Sequence, residues 1–370
     1  MAKKPGPLED MGIGDFSAAY RGKRVLVTGH SGFKGSWLTL WLHQMGATVA
    51  GLSLPEGQNT QHWHSLSLSI REKGADIRRL SEIETFIRDF DPEIVFHLAA
   101  QPLVRLSYAQ PLETWETNVL GTANVLEACR SCKNLRAIVA ITTDKCYRNN
   151  EWVWGYRETD HLGGHDPYSA SKAGSELVCA SYRASFYGSS QGVALATARA
   201  GNVIGGGDWS IDRLIPDLAR AAEKSKPLVI RSPHATRPWQ HVLDCLSGYL
   251  LLGAKLMVHG REFGEAWNFG PADDGNLTVQ EVLTRMRSSW PSISWSVEST
   301  TNLHEAKLLM LDTSKAKRML SWKPIWDVNL AIEKTAQWYR RYIENREVVT
   351  LSQIEDYVTE ARRLGAVWAQ

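Results

Sequence analysis

The hydrophobic pattern along the chain alternates between short apolar runs and longer amphipathic stretches. Residues 25–27 form the first apolar run, and residues 36–44 follow with Trp and Leu at helical spacing. Residues 47–54 are again apolar, and similar runs recur at 93–100 and 135–141 after helical patterns. This alternation of strand and helix predicts an α/β fold with a doubly wound parallel sheet and helices on both faces.

A glycine-rich turn joins the first predicted strand to the first predicted helix. Gly29, Gly32 and Gly35 recur at three-residue intervals, and the helix begins near Phe33. Glycines let a pyrophosphate approach bare backbone amides, and the helix N-terminus offers it a partial positive charge. With a strand on each side, this pattern predicts a Rossmann-type dinucleotide site. The second strand ends in Ser53 instead of a ribose-binding acid, so these residues leave NAD versus NADP open.

The second half of the chain has a different character. Residues 201–209, GNVIGGGDW, are glycine-rich and predict a loop, and a helix around residues 213–223 follows. The expected division is a flexible extension at residues 1–20, a dinucleotide-binding domain at 21–202 and about 234–266, and a smaller α+β substrate-binding lobe at about 203–233 and 267–370.

Charge and composition exclude several classes of function. The 42 basic and 40 acidic side chains nearly balance, so there is no electrostatic footprint for nucleic acid or an anionic membrane. The five cysteines lack disulfide-framework spacing and are typical of free thiols in a reducing cytosol. The sequence has no secretion signal and no apolar run of membrane-spanning length. We therefore expect a cytoplasmic protein, and we expect no metal site.

Small and polar residues follow several predicted strands. Ligands of open parallel sheets bind at the carboxyl ends of the strands, so these positions are candidates for a ligand site. Small residues there would let a cofactor lie flat against the edge of the sheet. The candidates at strand ends are Asp76 and Ile77, then Leu98, Ala99, Ala100 and Gln101, then Thr143, Asp144 and Lys145.

Tyr168 and Lys172 open another predicted helix and form a candidate catalytic pair. Residues four apart share a helical face, so the ammonium can lie beneath the phenol. A phenol titrates near pH 10, roughly, and an adjacent cation together with a positive nicotinamide favours the phenolate. The alternative is an ordinary amphipathic helix with one aromatic residue and one solvated lysine. Thr143 and the glycine turn favour the catalytic interpretation.

Residues 234–244, HATRPWQHVLD, contain a second candidate phosphate site. Arg237 and His241 beside Pro and Trp suit recognition of a phosphate-bearing ligand. An ordinary turn before the predicted helix at residues 242–256 is an equally good interpretation of the same pattern.

The motifs taken together resemble the extended short-chain dehydrogenases/reductases that modify nucleotide sugars. The resemblance covers about residues 20–345 and is carried by TGHSGFKGSWL, HLAAQPLVR, TTDKCY, YSASK, ARAGNVIGGGDW and TRPWQHVLD. Within this family the sequence most resembles the 4,6-dehydratases, and Lys145, where many of them have Glu, resembles the members that act on CDP-sugars. The resemblance implies tightly held NAD, a nucleotide-sugar substrate, a homodimer built on helices at 111–132 and 168–187, and a role in making 3,6-dideoxyhexoses for bacterial surface polysaccharide.

The chemistry of this class can be built from the candidate residues. Tyr168 is expected to take the proton of the sugar 4-hydroxyl while C4 gives hydride to NAD; Thr143 would bind O4, and Lys172 would hold the phenolate and the nicotinamide ribose. Asp144 is the expected acid at C6, which requires a raised pKa, and Lys145 the expected base at C5, which requires a depressed pKa. The expected cofactor-binding residues are Gly29, Gly32, Phe33, Gly35, Ser53, Asp76, Ile77, Leu98, Ala99, Ala100, Tyr168 and Lys172. The expected substrate-binding residues are Gln101, Asn202, Arg213, Arg237 and His241.

Two other functions remain open from the sequence. A 4-epimerase on the same scaffold would share Thr143, Tyr168 and Lys172 but would have no use for an acid and base beside the threonine. A non-catalytic dinucleotide sensor could dispense with Tyr168 and Lys172. The Asp144–Lys145 pair argues against the first, and the presence of Tyr168 and Lys172 argues against the second.

Overall fold

The computed structural model describes residues 16–55, 60–187, 192–272, 275–298 and 309–370. Its strands are β1 (Arg24–Thr28), β2 (Thr48–Ser53), β3 (Arg71–Gly74), β4 (Ile94–His97), β5 (Ala137–Ile141), β6 (Ala194–Ala200), β7 (Asn202–Ile204), β8 (Leu228–Ile230), β9 (Thr236–His241), β10 (Ala266–Phe269), β11 (Asn276–Thr278) and β12 (Trp295–Val297). Its α-helices are α1 (Ser17–Tyr20), α2 (Phe33–Gln44), α3 (Gln61–Ser65), α4 (Leu80–Phe90), α5 (Val104–Ala109), α6 (Pro111–Trp115), α7 (Gly121–Cys129), α8 (Pro167–Ser185), α9 (Leu214–Glu223), α10 (Val242–His259), α11 (Val279–Ser289), α12 (Ser314–Met319), α13 (Val328–Asn345) and α14 (Thr350–Arg363).

A seven-stranded sheet forms the centre of the molecule, with strand order β10-β6-β5-β4-β1-β2-β3. Every neighbouring pair in it is parallel, with Val27 opposite Gly51 and Phe96 opposite Val139. Helices cover both faces, so the apolar strands are buried on both sides. The predicted doubly wound sheet is confirmed.

Two helices pack closely on the sheet and form much of the core. In α2, Trp37 and Trp41 are buried, as expected of core residues. Residues 242–263, which include α10, are long and apolar enough to cross a membrane by length and composition. However, 89% of the apolar stretch is buried inside the protein. Such burial is typical of the core helix of a soluble protein.

The smaller sheets contain the chief departures from the predicted elements. β7, β9 and β11 form a three-stranded sheet, in which β7 runs parallel to β9. The segment 201–209, predicted to be a loop, thus begins with a short strand. The long helix predicted at 111–132 forms as α6 and α7, joined by the π-helical turn Glu116–Leu120.

Both ends of the described chain pack on the large sheet's helices. Phe16 stacks on Trp368 with ring centroids 4.8 Å apart, and Trp41 of α2 contacts Trp368 and Tyr357. Residues 16–20, predicted to be part of the extension, therefore belong to the fold, and residues 350–370, assigned to the substrate lobe, contact α2. The cause is a cluster of aromatic side chains that covers the outer face of α2. Residues 1–15 lie outside the described residues, and the remaining domain boundaries stay a prediction.

Candidate active site

One large cleft, about 1530 Å³ in volume, opens at the carboxyl ends of the central strands. Every site residue that the sequence predicted lines this cleft, with the exception of His241. The wall opposite the sheet comes from β7, the segment leading into α9, and β8 and β9. The topology therefore brings candidate cofactor, catalytic and substrate residues to a single place, while their individual roles stay predictions.

The glycine turn after β1 has the shape that a dinucleotide requires. Gly29 has φ +74°, and a Cβ there would lie 2.8 Å from the backbone nitrogen of Ala99. A Cβ on Gly35 would lie 2.0 Å from the carbonyl oxygen of Gly29, whereas one on Gly32 would meet only that oxygen, at 3.4 Å. Gly29 and Gly35 therefore close the turn, and Gly32 presents bare backbone to the cleft at the start of α2.

The ribose end of this turn uses a serine and a histidine. Ser53 Oγ lies 2.7 Å from His30 Nδ1 and accepts a hydrogen bond from the Ser31 amide at 3.3 Å. His30 Nε2 in turn lies 2.8 Å from a carboxylate oxygen of Glu72. The ring packs over Gly51, where a Cβ would come within 2.4 Å of it. The Ser53 hydroxyl is thus engaged by the turn itself, and sequence reasoning missed His30.

Asp76, just after β3, is held by an arginine that the sequence analysis did not single out. Arg78 lies 2.6 Å from Asp76 and also 3.1 Å from Glu113, and it lines the cleft. Burial raises the pKa of Asp76, but the hydrogen bonds and charge of Arg78 outweigh it and hold this pKa below its ordinary value. An ionised carboxylate therefore stands beside Ile77 at this edge of the cleft.

Tyr168 lies in the first turn of α8. Asp166 caps this helix, accepting from the Ser169 amide at 2.9 Å and from its hydroxyl at 2.6 Å, and Pro167 starts it. Burial raises the pKa of Tyr168 to about 12, while a hydrogen bond with Thr143 pulls it down. The phenol is therefore fixed beside the end of β5, and burial opposes its ionisation.

The Tyr168–Lys172 pair differs in detail from the predicted arrangement. Lys172 Nζ donates to the Ile141 carbonyl at 3.2 Å, so the hydrogen bond that the structure gives this ammonium goes to β5. The positive charge that lowers the pKa of Tyr168 comes from Arg213. Burial, with help from the charge of Lys34, lowers the pKa of Lys172 to about 8. The ammonium supports the end of β5, where the next three residues emerge.

Thr143, Asp144 and Lys145 form a compact group at the end of β5. The Thr143 hydroxyl donates to Asp144 Oδ1 at 2.9 Å, and Lys145 Nζ lies 3.6 Å from the same oxygen. The Asp144 side chain is 3% exposed and that of Lys145 is 32% exposed. The structure therefore brings a buried carboxylate and a half-buried ammonium together beside Tyr168.

A buried ion pair that sequence reasoning missed supports this group from behind. Glu176, one turn after Lys172 on α8, accepts from Arg199 at 2.8 and 2.9 Å and from the Thr197 hydroxyl at 2.7 Å. It also accepts from the hydroxyl of Thr142, the residue that precedes Thr143. Burial raises the pKa of Glu176, but the arginine outweighs it and keeps this pKa low. The pair ties α8 to the ends of β5 and β6.

Three of the predicted substrate residues lie on the opposite wall. Arg213, just before α9, pairs with the buried Asp208 at 2.9 Å, and Asn202 starts β7. Arg237, on β9, donates to the Thr236 carbonyl at 2.8 Å. All three predicted residues line the cleft and supply donors to it. Asp208, which holds Arg213, was not predicted, although it stands directly after the glycine run.

Gln101 reaches the cleft, but its side chain holds the loop after β4. Its Nε2 donates to Thr114 Oγ1 at 2.8 Å, and its Oε1 accepts from the Leu103 amide at 2.5 Å. Asn118, in the π-helical turn, accepts from the Gln101 amide at 2.8 Å. The side chain of Gln101 is therefore engaged within the protein, and a substrate contact at this position would come from the backbone of the loop that this side chain holds in place.

His241 is not in the cleft, so its prediction as a substrate-binding residue is wrong. It is fully buried, and its Nδ1 accepts from the Leu243 amide at 3.2 Å to cap α10. Its ring lies against Trp326, with centroids 4.6 Å apart, and against Trp37. Burial lowers its pKa to about 3, which keeps the ring neutral. The alternative interpretation, a residue at the turn before the helix, is the one that the structure supports.

A Rossmann sheet with Thr, Tyr and Lys gathered at its carboxyl edge defines the class of extended short-chain dehydrogenases/reductases. Residues 26–335 match the family model described as GDP-mannose 4,6 dehydratase. The chain is 46% identical to the CDP-glucose 4,6-dehydratase of Salmonella typhimurium over 93% of this chain and 98% of that protein. The chain belongs to this nucleotide-sugar 4,6-dehydratase family.

Further relatives and solved structures match at lower identity. The dTDP-glucose 4,6-dehydratase of Salmonella typhimurium is 27% identical over 85% of this chain and 92% of that protein. The structure of DesIV, a dTDP-glucose 4,6-dehydratase from Streptomyces venezuelae solved with NAD, has a TM-score of 0.71 at 26% identity, covering 87% of this chain and 98% of that one. The epimerase Mth375 of Methanothermobacter thermautotrophicus has a TM-score of 0.79 at 26% identity, covering 92% and 98%.

Proposed function

We propose that this protein is an NAD-dependent hydro-lyase that converts CDP-D-glucose into CDP-4-keto-6-deoxy-D-glucose and water. The observation that carries the proposal is the group Thr143, Asp144 and Lys145, placed in one cleft with Tyr168 and Lys172. An oxidation needs only the threonine, tyrosine and lysine, whereas loss of water from C5 and C6 also needs a base and an acid. The 46% identity to a CDP-glucose 4,6-dehydratase supports the same reaction.

The residues of the glycine turn fit NAD. Gly32 and the start of α2 would hold the pyrophosphate, and the small residues Ala99 and Ala100 leave room for the nucleotide along the sheet edge. Bound NAD would supply the acceptor for the hydride of the sugar C4 and the donor of that hydride to C6, so it would not be consumed. Ser53, Asp76 and the neighbouring Ile77 would face the adenosine half of the cofactor.

Tyr168 takes the proton of the sugar 4-hydroxyl in the first step. Thr143 orients O4, because its hydroxyl is fixed between Asp144 and the phenol. Burial holds the pKa of Tyr168 at about 12, so positive charge must offset it before the phenol can act as a base at neutral pH. Arg213 supplies part of this charge, and Lys172, which lines the same cleft, would hold the nicotinamide ribose.

Asp144 and Lys145 serve the elimination that follows. The 4-ketone acidifies the C5 proton, which Lys145 removes, while Asp144 gives a proton to the C6 hydroxyl so that it leaves as water. Lys145 then returns its proton to C5 as the saturated C6 methyl group forms, and the proton that Tyr168 took from the 4-hydroxyl passes through Thr143 to restore the acid form of Asp144. The 3.6 Å contact between the two side chains lets the charge of one compensate that of the other through this exchange.

The opposite wall suits the nucleotide diphosphate. Arg213 and Arg237 offer guanidinium groups, and Asn202 offers an amide, along the face that the sugar must share with Tyr168. Asp208 holds the guanidinium of Arg213 in this wall. These contacts would bind the phosphates, and the identity of the base rests on the similarity to the CDP-glucose enzyme.

We also infer that the enzyme works in the cytoplasm. We further infer that two copies of the chain form a dimer through α6, the π-helical turn and α8. This face leaves Leu112 77%, Leu120 58% and Leu177 61% exposed, an apolar patch that a second copy would cover. We expect Leu177→Glu to convert a dimer into a monomer in analytical ultracentrifugation. A control change at an isolated apolar side chain, Val297→Glu, should leave the mass unchanged. A wild-type monomer at micromolar concentration would contradict the pairing.

Incubation with CDP-glucose and catalytic NAD tests the proposed reaction. We expect the product to have lost one water by mass spectrometry and to gain ultraviolet absorbance in alkali, as a 4-keto sugar does. A product of unchanged mass with inverted C4 would instead identify an epimerase. NAD binding without any turnover would identify a non-catalytic sensor.

A further inference from the structure

A line of buried hydrogen bonds runs from the C-terminal helices to the first turn of α2. Trp338 Nε1, on α13, donates to Thr350 Oγ1 at 2.9 Å, and this oxygen lies 2.8 Å from His62 Nε2. His62 Nδ1 lies 2.7 Å from Ser36 Oγ, which donates to the Phe33 carbonyl at 2.9 Å. All four side chains from Trp338 to Ser36 are at most 1% exposed.

The protons in this line can be assigned. Ser36 has one hydroxyl proton, and it donates that proton to the Phe33 carbonyl. His62 must then donate from Nδ1 and accept at Nε2 from Thr350, which in turn accepts from Trp338. Every donor finds an acceptor in this arrangement. Burial lowers the pKa of His62 to about 3, in agreement with a neutral ring.

The glycine run in GNVIGGGDW closes over the same line. A Cβ on Gly206 would lie 1.9 Å from the Trp338 ring, and one on Gly207 would lie 2.3 Å from the His62 ring. Trp37 of α2 donates to the Gly206 carbonyl at 2.9 Å. The glycines are therefore required by close packing on the line, and the loop they form leads directly into Asp208, which holds Arg213.

The residues at one end of the line lie in the C-terminal helices, beyond the part of the chain that the family model matches. The family model ends at residue 335, before both Trp338 and Thr350. Thr350 is the first residue of α14, which packs on α2. At the other end of the line, the Phe33 carbonyl belongs to the first residue of α2, directly after Gly32. The hydrogen bonds thus connect the C-terminal helices to the turn that presents its backbone to the cofactor.

We propose that the C-terminal helices position the phosphate-binding turn through Thr350, His62 and Ser36, and that these are positioning residues for NAD. The inference rests on the proposed function only in taking NAD as the ligand of the glycine turn. Removing one hydroxyl leaves a buried polar partner unpaired, which the structure can relieve only by moving α3 or the start of α2. Because bound phosphate depends on backbone amides at that start, a small displacement there weakens the cofactor's hydrogen bonds.

The test compares two buried threonines by isothermal titration with NAD. Thr350→Val keeps the side-chain shape and removes the hydroxyl, and we expect it to raise the Kd for NAD roughly tenfold. Thr335→Val is the matched control, since Thr335 is also fully buried but donates only to Ala331 within α13. Thr350→Ser restores a hydroxyl and should restore the wild-type Kd. The change should fall on the Kd for NAD more than on kcat at saturating NAD, because Tyr168 lies on another element.

A second variant tests the line from its other end. Ser36→Ala should raise the Kd for NAD to a similar degree. The double variant with Thr350→Val should have no higher Kd than the single variant with the higher Kd, because both changes interrupt the same line of hydrogen bonds. Independent, additive effects would overturn the proposal. So would a wild-type Kd in Thr350→Val, or an equal rise in Thr335→Val. A wild-type chain that does not bind NAD would overturn both this inference and the proposed function, whereas the outcomes above leave the proposed function standing.

Discussion

At the residue scale, the proposed reaction assigns different roles to three consecutive residues. Thr143 hydrogen-bonds to Asp144 and reaches Tyr168, whereas Lys145 approaches Asp144 from the open side of the cleft. In the proposed reaction, oxidation at C4 and proton removal at C5 therefore use different side chains. A variant that removes only the amine of Lys145 should separate the two steps.

We expect Lys145→Met to slow solvent-deuterium exchange at C5 of the sugar at least a hundredfold, the usual scale for a general base. The Kd for NAD should stay within a factor of two, because Lys145 follows β5 and not the glycine turn. Proton NMR of the product formed in D2O measures the exchange. Lys224→Met, on the exposed end of α9, is the control. Exchange at the wild-type rate in Lys145→Met would assign the base to another group.

The sequence predicts these catalytic residues because their signals are local. Thr143, Asp144 and Lys145 directly follow an apolar strand, and Tyr168 and Lys172 are one helical turn apart. His241 could not be placed in the same way, because Trp37 and Trp326, which bury it, are distant in the sequence. The polar residues next to His241 in the sequence do not indicate that these two tryptophans pack on it.

At the element scale, the start of α8 determines where Tyr168 stands. Asp166 caps the helix two residues before Tyr168, and its negative charge also raises the pKa of that phenol. The cap and the charge have opposite consequences for catalysis. Replacing Asp166 by Asn keeps an acceptor for the helix amide while removing the charge.

We expect Asp166→Ala to lower the unfolding free energy by about 1 kcal/mol and to reduce kcat, because the first turn of α8 loosens around Tyr168. Asp166→Asn should keep the stability and shift the pH–rate profile toward lower pH, since the phenol ionises more easily. Urea denaturation and initial rates from pH 6 to 9, roughly, measure both. Asp327→Ala removes the cap of α13 and should cost similar stability without changing kcat. Equal loss of kcat in the Ala and Asn variants would contradict the capping role.

The elements themselves could be predicted where the apolar pattern was long. The strands β1, β2, β4 and β5 of the large sheet lie in mainly apolar runs, so the pattern indicates them directly. β7 escaped prediction because it has three residues and exists only through pairing with β9, more than thirty residues away. The π-helical turn in the predicted helix at 111–132 is likewise determined by a distant contact, in which Asn118 binds the backbone of Gln101.

At the scale of the whole molecule, buried neutral histidines make the fold sensitive to acid. Burial lowers the pKa of His62, His97 and His241 to about 3 each, below the ordinary 6.5. The unfolded chain therefore binds more protons than the folded protein between these values, so stability falls as the pH drops through this window. Asp244 acts in the opposite direction, because burial raises its pKa to about 7.

We expect the unfolding free energy to fall by roughly a few kcal/mol as the pH drops from roughly 6 to 4.5, because the unfolded chain gains more protons on these histidines than it lacks at Asp244. Urea denaturation at several pH values gives this slope. His241→Asn keeps an N-cap acceptor for α10 and should make this fall in stability with pH shallower. His43→Asn, at an exposed position, should leave it unchanged. A flat stability profile across this window would show that the histidines are not buried as described.

The central claim is that one molecule of sugar gives hydride from C4 and receives it back at C6 within a single cleft. CDP-glucose carrying deuterium at C4 tests this most directly, with mass spectrometry and NMR of the product formed in ordinary water. The account predicts one deuterium in the C6 methyl group and a ketone at C4. Deuterium retained at C4, or lost entirely to solvent, would contradict it.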